Sequence, residues 1–228
     1  MSKVFFTSDL HFAHKNIMKF CPLFRPYQTL EEMEHALVAL WNQTVSPEDI
    51  VYNLGDFSFS RDIGAIAKVL RQLNGQHHLI YGNHDNVIVR NSDYFLNTLK
   101  DDGIPLLTSA QPYLKLMLES VEQPLILFHY PIQEWDGCHK GWFHLYGHVH
   151  DRIAPLPGRL LNVGYDLHGR FLSAADINTF LGELPWLTHH TVADTALVQN
   201  DVENAKEQVW TKLLQLNYRM DAIKHNEK

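Results

Sequence analysis

Residues 79–85 read Leu79-Ile80-Tyr81-Gly82-Asn83-His84-Asp85. A short apolar run stops at a glycine and three polar side chains follow without a gap, the pattern of a buried strand that surfaces into a loop carrying chemistry. Four other stretches repeat the layout. Val4, Phe5 and Phe6 lead to Asp9 and His11; Ile50, Val51, Tyr52 and Leu54 lead to Gly55 and Asp56. Leu125, Ile126, Leu127 and Phe128 run into His129, and Leu145 and Tyr146 precede Gly147, His148 and His150. Five strand ends therefore deliver Asp, Asn and His toward one rim.

Outward from that stretch, strands are expected at residues 3–7, 50–54 and 78–81. Between them, Thr29 with Glu32 reads as an N-cap and its capping-box acid, opening a helix whose face is Met33, Leu37, Leu40 and Trp41. A second helix over 63–73 presents Ile66, Leu70 and Leu73 and closes at Asn74 and Gly75. Strand, helix, strand, helix, strand implies parallel pairing with right-handed crossovers, which sends the strand ends and their polar residues to one edge. Residues 12–27 read as a loop. Beyond Asp85, a short helix over 94–100 and strands at 106–108, 113–119, 125–128, 143–146 and 160–163 make the second half mostly β.

The 228 residues, 45% apolar and 20% charged, suit one α/β domain with a real core. A formal charge of −7 argues against wrapping an extended nucleic-acid duplex, whose affinity comes from phosphate neutralisation. No apolar run approaches the about 20 residues that span a bilayer, and Met1, Ser2 and Lys3 lead straight into a strand-like segment, so a cytoplasmic protein without membrane association is expected. Cys21 and Cys138 stand far apart in no metal-type spacing, against a disulfide framework or thiolate zinc. Fifteen histidines are the compositional excess, and His11, His84, His129, His148 and His150 fall in the clusters above. Asp9 with His11, and His148 with His150, are one residue apart, a spacing that in extended backbone puts both side chains on one face.

Taken in order, these clusters (Asp-x-His, Gly-Asp, Gly-Asn-His-Asp, His, Gly-His-x-His) resemble the signature blocks of the calcineurin-like metallophosphoesterase superfamily. The opening from Asp9 to Ile17, followed by Phe24-Arg25-Pro26, is similar to a small bacterial and phage subgroup of predicted phosphoesterases. The resemblance implies an α/β fold, a four-layer αββα sandwich of two mixed β-sheets flanked by helices. The phosphoesterase domain is expected over 1–188, with 189–228 a helical extension. The stripe Val202, Val209, Leu213, Leu216, Met220 and Ile223 suits a helix docked on its own domain or a homodimer contact.

The chemistry implied is hydrolysis of a small phosphomonoester or phosphodiester, nucleotide types included. Such a reaction needs hydroxide at neutral pH, neutralised phosphoryl oxygens and a proton for the leaving alkoxide. Two divalent ions roughly 3.5–4 Å apart meet the first two needs. Manganese is the first expectation, with Fe, Zn, Ni or Co the alternatives. The resemblance assigns Asp9, His11, Asp56 and His150 to one ion, and Asp56, Asn83, His129 and His148 to the other. It makes His84, held by Asp85, the general acid beside a metal-bound hydroxide, since a carboxylate-held histidine keeps a defined tautomer.

His14, Lys15, Asn16 and Arg25 are candidates to grip the substrate's phosphate, Arg by its bidentate fork. The loop carrying Trp135, Cys138 and Trp142 is a candidate pocket wall. After Asp56, Phe57-Ser58-Phe59-Ser60 lacks the Asp or Arg common in this family, and Arg61 is the stand-in. The competing reading is a non-catalytic relative that keeps the fold as a protein-binding scaffold. Such a relative is expected to lose ligands, and every motif position is filled here.

Overall fold

Along β1 (Val4–Thr7), β2 (Ile50–Asn53) and β3 (Gln76–Ile80), successive side chains point to opposite faces and both faces carry apolar groups, so each strand must be covered on both sides. Phe5, Val51 and Leu79 enter one core. Phe6, Tyr52 and Ile80 enter a second. The structure is a computed structural model and describes residues 2–187 together with Glu207 and Thr211.

β1, β2, β3 and β4 (Ser109–Gln111) pair in parallel, and β9 (Leu172–Ser173) joins β1 antiparallel, giving the order β4-β3-β2-β1-β9. The first core lies under α2 (Leu30–Thr44) and α3 (Ile63–Gln72), which bury Met33, Leu37 and Trp41, and Ile66, Ala67 and Leu70. The α2 capping box forms as expected: Thr29 Oγ1 accepts from the Glu32 N–H at 3.1 Å, and the Glu32 carboxylate accepts from the Thr29 N–H at 3.2 Å.

The second sheet runs β5 (Tyr113–Leu116), β6 (Leu125–Phe128), β7 (Phe143–Tyr146), β8 (Leu160–Asn162), with β5 antiparallel to β6 and the rest parallel. Leu125, Leu127, Phe143 and Leu145 meet Phe6, Tyr52 and Ile80 between the sheets. α7 (Ala174–Leu181), capped by Ser173 and Asp176, closes that core with Ile177 and Leu181. On the other face of β7, His144 packs against Trp135 with ring centroids 5.4 Å apart, beside a 3-10 turn at Cys138–Lys140. Two mixed sheets with flanking helices are thus the observed α/β architecture.

Several expected elements shift. Residues 106–108 do not form a strand: the N–H groups of Leu106 and Leu107 bond to Thr98 and Phe95 carbonyls, so both side chains plug the helix-side core and β4 begins one residue later. The loop over 12–27 contains a helical turn, α1 (Ile17–Phe20), that buries Ile17. α4 (Asn86–Arg90) follows Asp85 directly, α5 (Ser92–Asn97) starts earlier than expected, and α6 (Tyr165–His168) follows β8.

The chain divides into Met1–Trp186, which holds every element above, and Leu187–Lys228. The expected helix over 201–223 lies outside the described residues except for helical Glu207 and Thr211. Among the described residues no helix is long and apolar enough to cross a membrane.

Candidate metal centre

The loops leaving β1, β2 and β7 turn immediately, and they do so through left-handed backbone. Asp9 (φ 58°), His11 (53°), Asp56 (53°), His148 (68°) and His150 (56°) all have positive φ, as does Ala13 (63°). Side-chain-bearing residues reach that region at about 1–3 kcal/mol each, and such strain persists only where the surroundings enforce it. The extended-strand rationale for Asp-x-His and His-x-His is therefore corrected. Both pairs converge because alternate residues are left-handed, which bends the loop around its own side chains.

Carboxylates enforce those turns by accepting backbone N–H groups across the site. Asp9 accepts from His148 N at 3.1 and 3.0 Å, tying the first motif to the last. Asp56 Oδ1 accepts from His84 N at 2.8 Å. Asp85 is the busiest: it takes the N–H groups of Gly82 (2.8 Å), Asp56 (2.9 Å) and Phe57 (2.9 Å). Gly55, at φ 103°, lets the β2 and β3 loops touch, since a Cβ there would lie 2.6 Å from Gly82 N.

Asp56 Oδ2 then faces three imidazoles, 3.6 Å from His11 Nε2, 3.5 Å from His129 Nε2 and 4.0 Å from His84 Nε2. His129 is oriented by its Nδ1, 2.7 Å from the Leu54 carbonyl, and its Nε2 lies 3.2 Å from Asn83 Oδ1. Ligand atoms of Asp9, His11 and His150 lie within 4.8 Å of one another, and so do those of Asp56, His129 and His148. The structure thus brings six of the seven candidate ligands into two adjoining groups, and Asn83 reaches the second through its 3.2 Å contact with His129.

Burial sets the charges. It pushes the Asp9 carboxyl up to about 6 and the His11 imidazole down to about 3, so His11 is neutral with a lone pair on offer. Burial would also raise Asp56, but the His129 hydrogen bond and charge outweigh it and hold the carboxyl at about 2. Both ring nitrogens of His11 are buried without a hydrogen-bond partner. A buried neutral imidazole left unpaired 3.6 Å and 3.9 Å from two carboxylate oxygens is satisfied by a cation among them, so the residues fit a metal. The donors are carboxylate, amide and imidazole, which suit first-row divalent ions. Cys21 lies near His150 and Asp166, and burial pushes its thiol up to about 12.

Two assignments change. Arg25 does not grip substrate: it is 1% exposed, and its guanidinium donates to Asp166 Oδ1 (2.6 Å), the Asp9 carbonyl (2.7 Å) and the Leu10 carbonyl (3.0 Å). Asp85 does not hold the His84 ring, because its oxygens already serve three backbone donors, and burial pushes it up to about 6. The His84 ring instead packs on Phe59 at 4.1 Å, and Phe59 stacks on His14 at 3.8 Å. Lys15 and Asn16 are exposed on the same loop. Trp135 packs on His144, and Trp142 lies under the Lys115 ammonium at 3.9 Å.

Asp166 is the member that sequence reasoning missed. Its Oδ2 lies 2.9 Å from His150 Nδ1, fixing that ring, while Arg25 holds its other oxygen. Burial raises His150's cost of charging, yet the Asp166 bond wins and lifts the imidazole above its ordinary value. The signal was present: Leu160, Leu161, Asn162 and Val163 lead to Gly164 and Asp166, a sixth copy of the strand-end layout.

Fold and site together define a layered α/β sandwich whose parallel strand ends gather side chains that could hold a metal. The chain belongs to the calcineurin-like phosphoesterase family, whose model matches residues 2–203. It is similar to the Gene 66 protein of Mycobacterium phage L5, 28% identical over 197 residues that cover 78% of this chain and 93% of that one. An uncharacterized protein of Methanocaldococcus jannaschii is 44% identical over 86 residues, 37% of this chain; the match spans about half (48%) of the archaeal protein's length. A crystal structure of a protein of unknown function from Aquifex aeolicus shares the fold at TM-score 0.57 and 20% identity, covering 78% of this chain and 99% of that one.

Proposed function

We propose that the protein hydrolyses a small phosphomonoester or phosphodiester, nucleotide types included, with two divalent ions, manganese first among them. Asp9, His11, Asp56 and His150 would hold one, and Asp56, Asn83, His129 and His148 the other. Such ions, when bound, supply hydroxide at neutral pH and neutralise phosphoryl oxygens. Asp166 and Leu54 O orient His150 and His129 through Nδ1, leaving Nε2 of each for the centre. His84 carries a proton to the leaving oxygen from a ring whose side chain is 40% exposed at the edge of the centre.

The observation that carries this reading is Asp56 Oδ2 facing three imidazole nitrogens at 3.5–4.0 Å while Oδ1 is fixed by the His84 N–H. Chelated protein reconstituted separately with Mn, Fe, Zn, Co and Ni, and screened on monoesters, diesters and cyclic nucleotides, tests it. The expected result is no turnover after chelation and recovery with added ion. Hydrolysis indifferent to chelation would overturn it.

A further inference from the structure

On the His84 side of the centre opens a cavity of about 600 Å³, lined by Phe59, Ser60, Arg61, His84, Asn86 and Arg90 among others. That volume is within the range of small-molecule sites and far exceeds what one phosphoryl group fills. Its walls carry two guanidinium groups and no carboxylate, in a chain whose formal charge is −7. Among the described residues neither the Arg61 nor the Arg90 side chain has a hydrogen bond or ion pair. Arg25, Arg159 and Arg170, by contrast, are each committed to protein acceptors.

We propose that this cavity is the leaving-group subsite and that it takes a leaving group bearing a second phosphate, bound by Arg61 and Arg90. This rests on the reading of His84 as proton donor: the leaving oxygen must face His84, so whatever that oxygen is attached to lies on the side where His84 lines the cavity. In the reaction, water oxygen forms the new bond to phosphorus and gives up a proton to solvent, the bond from phosphorus to the leaving oxygen breaks, His84 protonates that oxygen, and solvent returns a proton to His84. The product is an alcohol that still carries its own phosphate. Two unpaired guanidinium groups match a phosphate dianion in charge, and a guanidinium fork binds phosphate oxygens in pairs. The Phe59 ring, packed against His84, gives the cavity an apolar wall for the carbon skeleton between the two phosphates.

The test compares matched pairs on the metal-loaded protein: propyl phosphate with propane-1,3-diol bisphosphate, and their methyl diesters. Dinucleotides with and without a terminal phosphate, run alongside, tell whether the second phosphate belongs to a small organic bisphosphate or to a strand end. The phosphate-bearing member of a pair is expected to have a kcat/KM higher by about tenfold or more. That preference should shrink with added salt. It should fall toward one in a variant combining Arg61→Ala with Arg90→Ala, and reverse in Arg90→Glu. A parent ratio near one, or a ratio that survives the double substitution in a protein melting like the parent, would overturn the subsite. Turnover of neither member of any pair would overturn the hydrolase reading itself.

Discussion

His84 is placed by packing and by its own backbone, not by its acidic neighbour. Its N–H is donated to Asp56, and its ring lies on Phe59. A proton donor matters most where the leaving group is a poor one. His84→Ala should lose on the order of 10²–10⁴ in rate on alkyl esters and distinctly less on nitrophenyl esters, with metal content nearly unchanged. Equal losses on both series would make it a phosphoryl contact instead. Asp166 acts one step further out, through His150. Asp166→Asn should weaken metal binding by about ten- to a hundredfold, read by titrating manganese into chelated protein. An unchanged titration in a folded variant would show that the 2.9 Å bond to His150 does not tune the centre. The sequence made Asp85 the partner of the His84 ring, and its role as an acceptor of backbone N–H groups was not legible, because which donors it collects depends on how closely the Gly55 and Gly82 loops approach.

At the scale of the element, β3 shows where periodicity succeeds and fails. Leu79 and Ile80 alternate between the two cores as their apolar character requires. His77, two residues before Leu79, is buried as well, against Trp41 at 4.9 Å and Phe57 at 5.4 Å, with both ring nitrogens unpaired. Burial lowers its imidazole from 6.5 to about 3. The unfolded chain thus takes a proton there below about pH 6.5 while the folded protein stays neutral, so stability is full above that value and drains away as pH falls toward 3. Urea unfolding at pH 7.5 and pH 5.0 should show His77→Phe losing about 2 kcal/mol less than the parent over that interval. Equal losses would mean that His77 is solvated. The 106–108 run misled because an apolar pair followed by a threonine fits a strand or a core plug equally, and only its bonds to the end of α5 decide.

For the whole molecule, the layer order was legible because each motif sits at the end of an apolar run, and parallel pairing must send those ends to one edge. The left-handed turns were not, since nothing local in Asp-Leu-His or His-Val-His demands positive φ. They are imposed by bonds between distant loops, such as Asp9 to His148. The same tertiary cause explains Arg25, a basic loop residue in sequence and a buried brace for Asp166 in the fold. What the convergence creates is one carboxylate, Asp56, lying 3.6 Å from His11 of one donor group and 3.5 Å from His129 of the other, and the proposed hydrolysis depends on that carboxylate holding both ions. Metal stoichiometry measured on manganese-loaded parent and on Asp56→Asn, with turnover on the same samples, tests it most directly. Two ions per chain are expected in the parent, with loss of both bound metal and turnover in the variant; two ions and normal turnover in Asp56→Asn would rule out the shared carboxylate.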